Sequence, residues 1–135
     1  MTYGDGLANV NIDALLAFHK SHGKIATMTT VHPTSRFGVV NVDGKDRITD
    51  FVEKPQAAGW ANAGFFVFEP GIFDYVQDDP ECALETTPME KLAKDGELMA
   101  YRHEGFFMAM DTYREYLKLN ELWNNGAPPW LDPVS

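Results

Sequence analysis

Cysteine is almost missing from this sequence, which excludes two kinds of site. Cys82 is the single cysteine in the chain, so no disulfide can form within it and no zinc site can be built from several cysteines. Long apolar runs are missing too, since none approaches the roughly 20 residues that a membrane-spanning helix needs. The N-terminal segment has no basic region and no apolar stretch of the kind found in signal peptides. Together these absences predict a cytoplasmic protein without a membrane partner.

Positive charge is also scarce. Lys and Arg number 11 against 20 Asp and Glu, which gives a formal net charge of −9 at pH 7. Nonspecific binding to nucleic acid requires clusters of lysine and arginine, so the charge balance argues against it. For the same reason, a phosphate substrate would need a metal ion or a few well-placed cations.

What is present is the composition of one globular domain. Hydrophobic residues make up 44% of the 135 residues and aromatic residues 13%, which is enough to form a core rather than a disordered chain. We find no internal repeat and no linker that would divide the chain. Residues 1–135 are therefore expected to form a single domain.

Strand and helix signals are interspersed along the chain and predict an α/β fold. Asn11 is a suitable N-cap for a helix from Ile12 to about His22, with His19 and His22 on its surface and Gly23 at its end. Thr87 is expected to cap a second helix by a capping box with Glu90. A third helix should begin near residue 113. Strands are predicted at residues 25–31, 37–42, 48–52, 65–68, 98–102 and 106–110, with the end of another at 1–3, a short helix near 72–76 and a loop at 78–80.

Polar groups cluster where two of these strands meet a loop. Glu53 and Lys54 follow the strand Ile48–Val52, and Asn62 and Gly64 precede Phe65–Phe68. Such positions are typical of ligand sites in α/β proteins. Lys54 could meet a phosphate, Glu53 and the Asn62 amide could bind hydroxyls, and Gly64 would allow close approach to the backbone. A solvated hairpin end with a Glu–Lys ion pair is the more common explanation of these residues taken alone.

Two aspartates share the same context at a distance in sequence. Asp5 lies between two glycines where a strand ends, and Asp111 follows another predicted strand. If both strands lie in one sheet, the two carboxylates could converge on one Mg²⁺. With Lys54 and Glu53 nearby, they would hold a sugar phosphate for attack on the α-phosphate of a nucleoside triphosphate. In the alternative, an acidic α+β interaction domain, the two aspartates are surface turns that do not approach each other.

Nine short segments, taken in order, resemble the sugar-nucleotide pyrophosphorylases, and in particular the glucose-1-phosphate cytidylyltransferase type. Each is weak alone, but their order is the family's order and they cover nearly the whole chain. They are Tyr3-Gly4-Asp5-Gly6, Arg36-Phe37-Gly38, Glu53-Lys54-Pro55, Asn62 to Val67, Gly96 to Ala100, His103 to Phe106, Met110-Asp111-Thr112, Leu122-Trp123 and Gly126-Ala127-Pro128.

The resemblance implies a fold, substrates and residue roles. The fold would be a Rossmann-like nucleotidyltransferase domain with a mixed sheet and flanking helices, and the reaction would join glucose 1-phosphate and CTP into CDP-glucose. Asp5 and Asp111 are expected to bind Mg²⁺, and Lys54 to hold the sugar phosphate and act in catalysis with the two aspartates. The positions expected to contact the sugar are Glu53, Asn62 and Gly64.

One family feature is missing from the sequence, namely the glycine-rich loop that binds the nucleotide. The resemblance therefore implies the C-terminal, sugar-phosphate-binding half of the enzyme, which would be inactive alone or would act with a separate N-terminal half. The alternative is a non-catalytic sugar-phosphate-binding or assembly module. In either case an unpaired sheet edge is expected, and a symmetric homodimer would cover it most simply.

Overall fold

The structure is a computed structural model of the chain, and it describes residues 1–35, 38–56, 58–76 and 82–132. Arg36 and Phe37 of one resembling segment, and the loop predicted at 78–80, lie outside the described residues. Seven strands and three α-helices are described. In chain order they are β1 (Gly6–Ala8), α1 (Ile12–His22), β2 (Ala26–Val31), β3 (Val39–Val42), β4 (Ile48–Val52), β5 (Ala61–Phe68), a 3₁₀ turn (Pro70–Asp74), α2 (Thr87–Lys94), β6 (Leu98–Arg102), β7 (Phe107–Ala109) and α3 (Tyr113–Asn124).

A three-stranded mixed sheet of order β5-β2-β6 forms the centre of the fold. β2 is antiparallel to β5 and parallel to β6, and it is buried along most of its length because it has a neighbour on each side. The main core lies on this sheet under α2 and the 3₁₀ turn. It consists of Ala26, Phe66, Ile72, Met89 and Leu92. The α/β architecture with a mixed sheet and flanking helices is therefore confirmed.

Two further strand pairs lie outside the central sheet. β1 pairs antiparallel with β7, and β3 pairs antiparallel with β4 in a hairpin whose residues are all exposed. The hairpin turn at Asp43 is confirmed, because the Asp43 carboxylate accepts hydrogen bonds from the backbone N–H groups of Lys45 and Arg47 at 2.8 and 3.1 Å. Within the described part of the chain, no helix is long and apolar enough to cross a membrane.

β5 is longer than the sequence indicated, and a bulge interrupts it. The register with β2 shifts between the pairs Met28–Phe66 and Thr30–Asn62. At the shift, Gly64 has φ 76° and Phe65 has φ 46°, both in the left-handed region that disfavours a residue such as phenylalanine. The Thr29 hydroxyl donates to the Phe65 carbonyl at 2.9 Å and holds the bulge closed. Residues 61–64, which were predicted to lead into a strand that begins at Phe65, thus belong to the strand.

Helix boundaries follow local capping signals. The sequence analysis placed one of these signals at the wrong residue and did not identify another. α1 is capped as predicted, since Asn11 Oδ1 accepts from the Ala14 N–H at 3.0 Å and Gly23 has φ 64°. The capping box expected at Thr87 is wrong, because Thr86 is the N-cap and its hydroxyl donates instead to the Ala83 carbonyl. The structure has its complete capping box at α3, between Thr112 and Glu115.

A histidine expected on the surface of α1 is buried in a polar network. His19 is 4% exposed. His22 Nδ1 accepts from the Lys24 backbone N–H at 2.9 Å, so in the neutral ring its Nε2 carries the hydrogen and donates to Thr27 Oγ1 at 2.7 Å. The Thr27 hydroxyl then donates to His19 Nδ1 at 2.8 Å, and His19 Nε2 donates to Glu69 Oε1 at 3.1 Å. Each ring nitrogen therefore has a partner when both imidazoles are neutral.

This network predicts that acid destabilises the fold. Burial lowers the pKa of His22. The neighbouring His19 and Lys24 lower the same pKa further, and Glu97 opposes them. Since the unfolded chain then binds more protons, the free energy of unfolding should fall as the pH drops from the ordinary histidine pKa of about 6.5 towards the lower folded pKa. Urea unfolding between pH 7.5 and 5.5 measures this, and His22→Gln should flatten the dependence. The control His32→Gln should not, and an unchanged slope in His22→Gln would refute the assignment.

Candidate functional site

The pairing of β1 with β7 brings the two aspartates to the same end of one sheet. Gly6 lies opposite Ala109, and the Met110 N–H donates to the Asp5 carbonyl at 2.8 Å. Asp5 is therefore opposite Met110, one residue from Asp111. The strand beside Asp5 is β1, which begins after this residue, so the strand end predicted at residues 1–3 is wrong. The strand that does adjoin Asp5 lies in one sheet with β7.

Asp111 sits at the start of α3 within a set of backbone hydrogen bonds. Glu115 Oε2 accepts from the Asp111 N–H at 2.9 Å and from the Thr112 N–H at 2.8 Å. A carboxylate in this place also interacts favourably with the helix dipole. The capping box thus fixes the backbone that carries Asp111.

The donor set that Asp5 and Asp111 would offer to a metal ion is that of an open site rather than a closed one. Among the residues that the structure describes, no three His, Cys, Asp or Glu side chains are grouped so that they could hold a metal ion. Mg²⁺ usually takes one or two carboxylates and fills its remaining positions with water and substrate phosphate oxygens. A pair of aspartates with no third protein ligand fits that donor set and does not fit a structural metal site.

A cleft of about 550 Å³ opens beside β7. Its size is in the range of pockets for small metabolites. Asp111 and Glu115 lie on one side, and the ends of β2 and β6 close the other. The polar residues among its walls include Thr34, Gln56, His103, Glu104, Asp111 and Glu115.

Glu53 and Lys54 form an ion pair at the end of the β3–β4 hairpin. Lys54 Nζ lies 2.9 Å from Glu53 Oε1, and the two side chains keep 47% and 58% of their surfaces exposed. The following residues run beside the end of β2, since the Ser35 N–H donates to the Pro55 carbonyl and Thr34 pairs with Gln56. The ion pair of a solvated hairpin end is thus observed. Both side chains are also open to a ligand, and they precede by two and three residues Gln56, which lines the cleft.

Asn62 and Gly64 are joined to the N-terminal segment by a tyrosine that the sequence analysis did not single out. Asn62 Oδ1 accepts from the Gly64 N–H at 2.8 Å, and Asn62 Nδ2 donates to the Tyr3 hydroxyl at 3.2 Å. Tyr3 in turn donates to Glu85 Oε1 at 2.7 Å. Burial raises the pKa of Tyr3 and its bond to Glu85 adds to the rise, while the same bond lowers the pKa of Glu85.

The candidate residues therefore fall into three groups. Asp5 and Asp111 lie at the same end of the β1–β7 pair, Asn62 and Gly64 lie around Tyr3, and Glu53 with Lys54 forms the hairpin end. Residues 3 to 5 join the first two groups. In the described part of the chain, the group of Glu53 and Lys54 is connected to the cleft wall through the backbone contacts of Pro55 and Gln56.

Comparison with known proteins shows the family. The nucleotidyl transferase family model matches residues 2–132, so the chain belongs to the nucleotidyl transferase family. The chain is 45% identical over 130 residues to a Bacillus subtilis protein named "Probable glucose-1-phosphate cytidylyltransferase", and 43% identical to the glucose-1-phosphate cytidylyltransferase of Salmonella typhi. It is 37% identical over 116 residues to the catalytic subunit beta of Dictyostelium discoideum mannose-1-phosphate guanylyltransferase, covering 82% of this chain and 32% of that protein.

Two solved structures show the same fold as this chain. One is a Bacillus anthracis protein assigned as a glucose-1-phosphate thymidylyltransferase, with a TM-score of 0.63 at 21% identity over 88% of this chain and 51% of that one. Another is HddC from Yersinia pseudotuberculosis, with a TM-score of 0.58 at 22% identity over 89% of this chain and 52% of that one.

The chain spans about half the length of the two cytidylyltransferase relatives named above. The match to the Bacillus subtilis protein covers 96% of this chain and 51% of that protein, and the match to the Salmonella typhi enzyme covers 96% and 50%. The comparisons do not support the expectation that the matched part is the C-terminal half of those relatives.

Gly64 provides a test of the geometry around Tyr3. A Cβ built on Gly64 would lie 2.8 Å from Tyr3 Cδ2, and its φ of 76° strains any side chain. Gly64→Ala should therefore destabilise the fold by about 1–3 kcal/mol in urea unfolding. Gly44→Ala is the control, because a Cβ there meets no atom within 4 Å. Equal effects of the two substitutions would contradict the packing of Tyr3 on the bulge.

Proposed function

We propose that this chain binds a sugar 1-phosphate together with Mg²⁺, as part of a sugar-1-phosphate nucleotidyltransferase. The observation that carries the proposal is the β1–β7 pairing, which sets Asp5 opposite Met110, one residue from Asp111. Asp111 itself lines a cleft of metabolite size. Family membership supplies the reaction class. In that reaction a phosphate oxygen of the sugar phosphate forms a bond to the α-phosphorus of the nucleotide. The bond between the α-phosphorus and the oxygen that bridges to the β-phosphorus breaks, and pyrophosphate leaves.

The proposed roles follow from charge and position. Asp5 and Asp111 would hold Mg²⁺, which when bound neutralises charge on the phosphate oxygens. Lys54 supplies a positive charge in a chain where acidic residues outnumber basic ones, and it would meet the phosphate of the sugar. Glu53, Asn62 and Gly64 are the positions proposed to contact the sugar hydroxyls and to fix the sugar's orientation.

Glucose 1-phosphate and CTP are the substrates that we propose. The relatives named as cytidylyltransferases are 43–45% identical to this chain, whereas the guanylyltransferase relative is 37% identical over a shorter segment. The printed sequence has no glycine-rich nucleotide loop, so we propose that residues outside these 135 bind the nucleoside triphosphate. The chain alone would then bind the sugar phosphate without turning over CTP.

A non-catalytic sugar-phosphate-binding or assembly module is the second candidate. The Glu53–Lys54 ion pair favours the assembly form of this candidate, because a lysine already paired within the hairpin does not need a phosphate partner. The two candidates differ in whether Mg²⁺ strengthens the binding of sugar phosphate through the two aspartates.

The first test is calorimetric titration of glucose 1-phosphate into the chain with Mg²⁺ present. We expect saturable binding that Lys54→Ala weakens at least tenfold, because the substitution removes the cation that meets the phosphate. Lys45→Ala is the matched control, since it removes the same charge from the other end of the same hairpin and should change the affinity less than twofold. Equal losses in the two variants would mean that only net charge matters.

The second test addresses the metal. If Asp5 and Asp111 hold Mg²⁺, the ion should strengthen glucose 1-phosphate binding in the unaltered chain, and Asp5→Asn or Asp111→Asn should abolish that enhancement. Asp13→Asn, an exposed position in the first turn of α1, serves as the control and should retain it. An enhancement that survives both site substitutions would remove the two aspartates from the proposal and favour the non-catalytic module.

A further inference from the structure

An apolar surface surrounds the outer edge of β5. Two depressions of about 510 and 490 Å³ lie on either side of it, and Met1 and Phe68 line both. The first is bounded by α1 and the second by the 3₁₀ turn. We call this surface the β5 face and define it by Met1, Ile12, Leu16, Phe68, Phe73 and Val76.

The β5 face combines apolar side chains with an open backbone edge. β5 is an edge strand of the central sheet. Phe66 exchanges two backbone hydrogen bonds with Met1, at 2.7 and 2.8 Å, which is the pattern of an antiparallel pair. Since backbone groups alternate in direction along a strand, Phe68 directs its own N–H and C=O to the same edge. Met1 thus pairs with the backbone of Phe66 on this edge, and the N–H and C=O of Phe68 form the next pairing position along it.

The β5 face is also continuous with the core, unlike the exposed apolar residues of the β3–β4 hairpin. Phe66 and Ile72 belong to the main core cluster, and Phe68 packs against it. Over them lie side chains that remain exposed, among them Phe73 at 78% and Leu16 at 38%. An uncovered edge strand with apolar flanks is a site for pairing with another strand.

The comparisons identify what fits this edge. Nearly nine-tenths of this chain matches the two solved structures, yet it accounts for only 51% and 52% of theirs. A fold divided in two leaves an apolar surface on each part where the parts had been in contact. We propose that the β5 face is the docking surface for the remaining part of the nucleotidyl transferase fold, which adds a strand antiparallel to β5 at Phe68. The proposal rests on the fold and is independent of the sugar-phosphate assignment.

The test is co-expression with the segment of the Bacillus subtilis relative that lies outside the 130 matched residues, carrying an affinity tag. We expect a one-to-one complex by light scattering, with slower hydrogen exchange at the Phe68 amide than in the chain alone. Leu16→Glu and Phe73→Glu should each reduce the co-purified chain at least tenfold, because each buries a charge in the interface. Leu117→Glu is the matched control, since Leu117 is 50% exposed on α3, and circular dichroism confirms that each variant is folded.

Three results would overturn the proposal. The first is the absence of a complex with the unaltered chain, and the second is a complex that survives Leu16→Glu and Phe73→Glu. The third is self-association of the chain alone that Leu16→Glu abolishes and that persists when the relative's segment is present. That result would make a second copy the occupant, in the homodimer expected from the sequence. None of these results depends on Lys54, so the titration with glucose 1-phosphate stands or fails separately.

Discussion

The bulge in β5 determines where both the sugar-side residues and the open sheet edge lie. Phe65 at a φ of 46° costs on the order of 1–3 kcal/mol. The Thr29 hydroxyl and the Asn62 amide offset part of this cost by bonding to backbone groups of Phe65 and Gly64. Because of the bulge, Gly64 comes against Tyr3 and Phe66 turns its backbone towards Met1. A regular strand would place neither contact where it is.

The ion pair between Glu53 and Lys54 is compatible both with a solvated hairpin end and with a site that binds a sugar phosphate. A pair whose members are both about half exposed contributes only about 0–1 kcal/mol. A sugar phosphate carries more negative charge than a single carboxylate, so it can displace Glu53 from Lys54 at little cost. Glu53 would then be released towards the sugar hydroxyls. In a chain of net charge −9, Lys54 would thus be paired with Glu53 before the sugar phosphate binds and with the phosphate afterwards.

The sequence predicted what depends on local signals and missed what depends on distant contacts. Asn11 caps α1 through its own side chain and Gly23 ends the helix through its own backbone conformation, so both ends could be predicted. The Tyr3–Glu85 bond joins residues 82 positions apart, and no periodicity reports such a pair. His19 has a polar side chain but is buried because Thr27 and Glu69 provide partners. The bulge was missed because a left-handed phenylalanine contradicts its own preference.

The first five residues connect the candidate site to the β5 face. Met1 pairs with Phe66 on the sheet edge, Tyr3 bonds to Asn62, and the Asp5 carbonyl accepts from the Met110 N–H at the end of the β1–β7 pair. A strand that docks beside Met1 would restrict this segment, and so would a metal ion held by Asp5. Ordering one end of so short a segment lowers the entropy cost of ordering the other. If both proposals hold, docking and metal binding must therefore strengthen each other by the same factor, because coupling between two binding events is reciprocal.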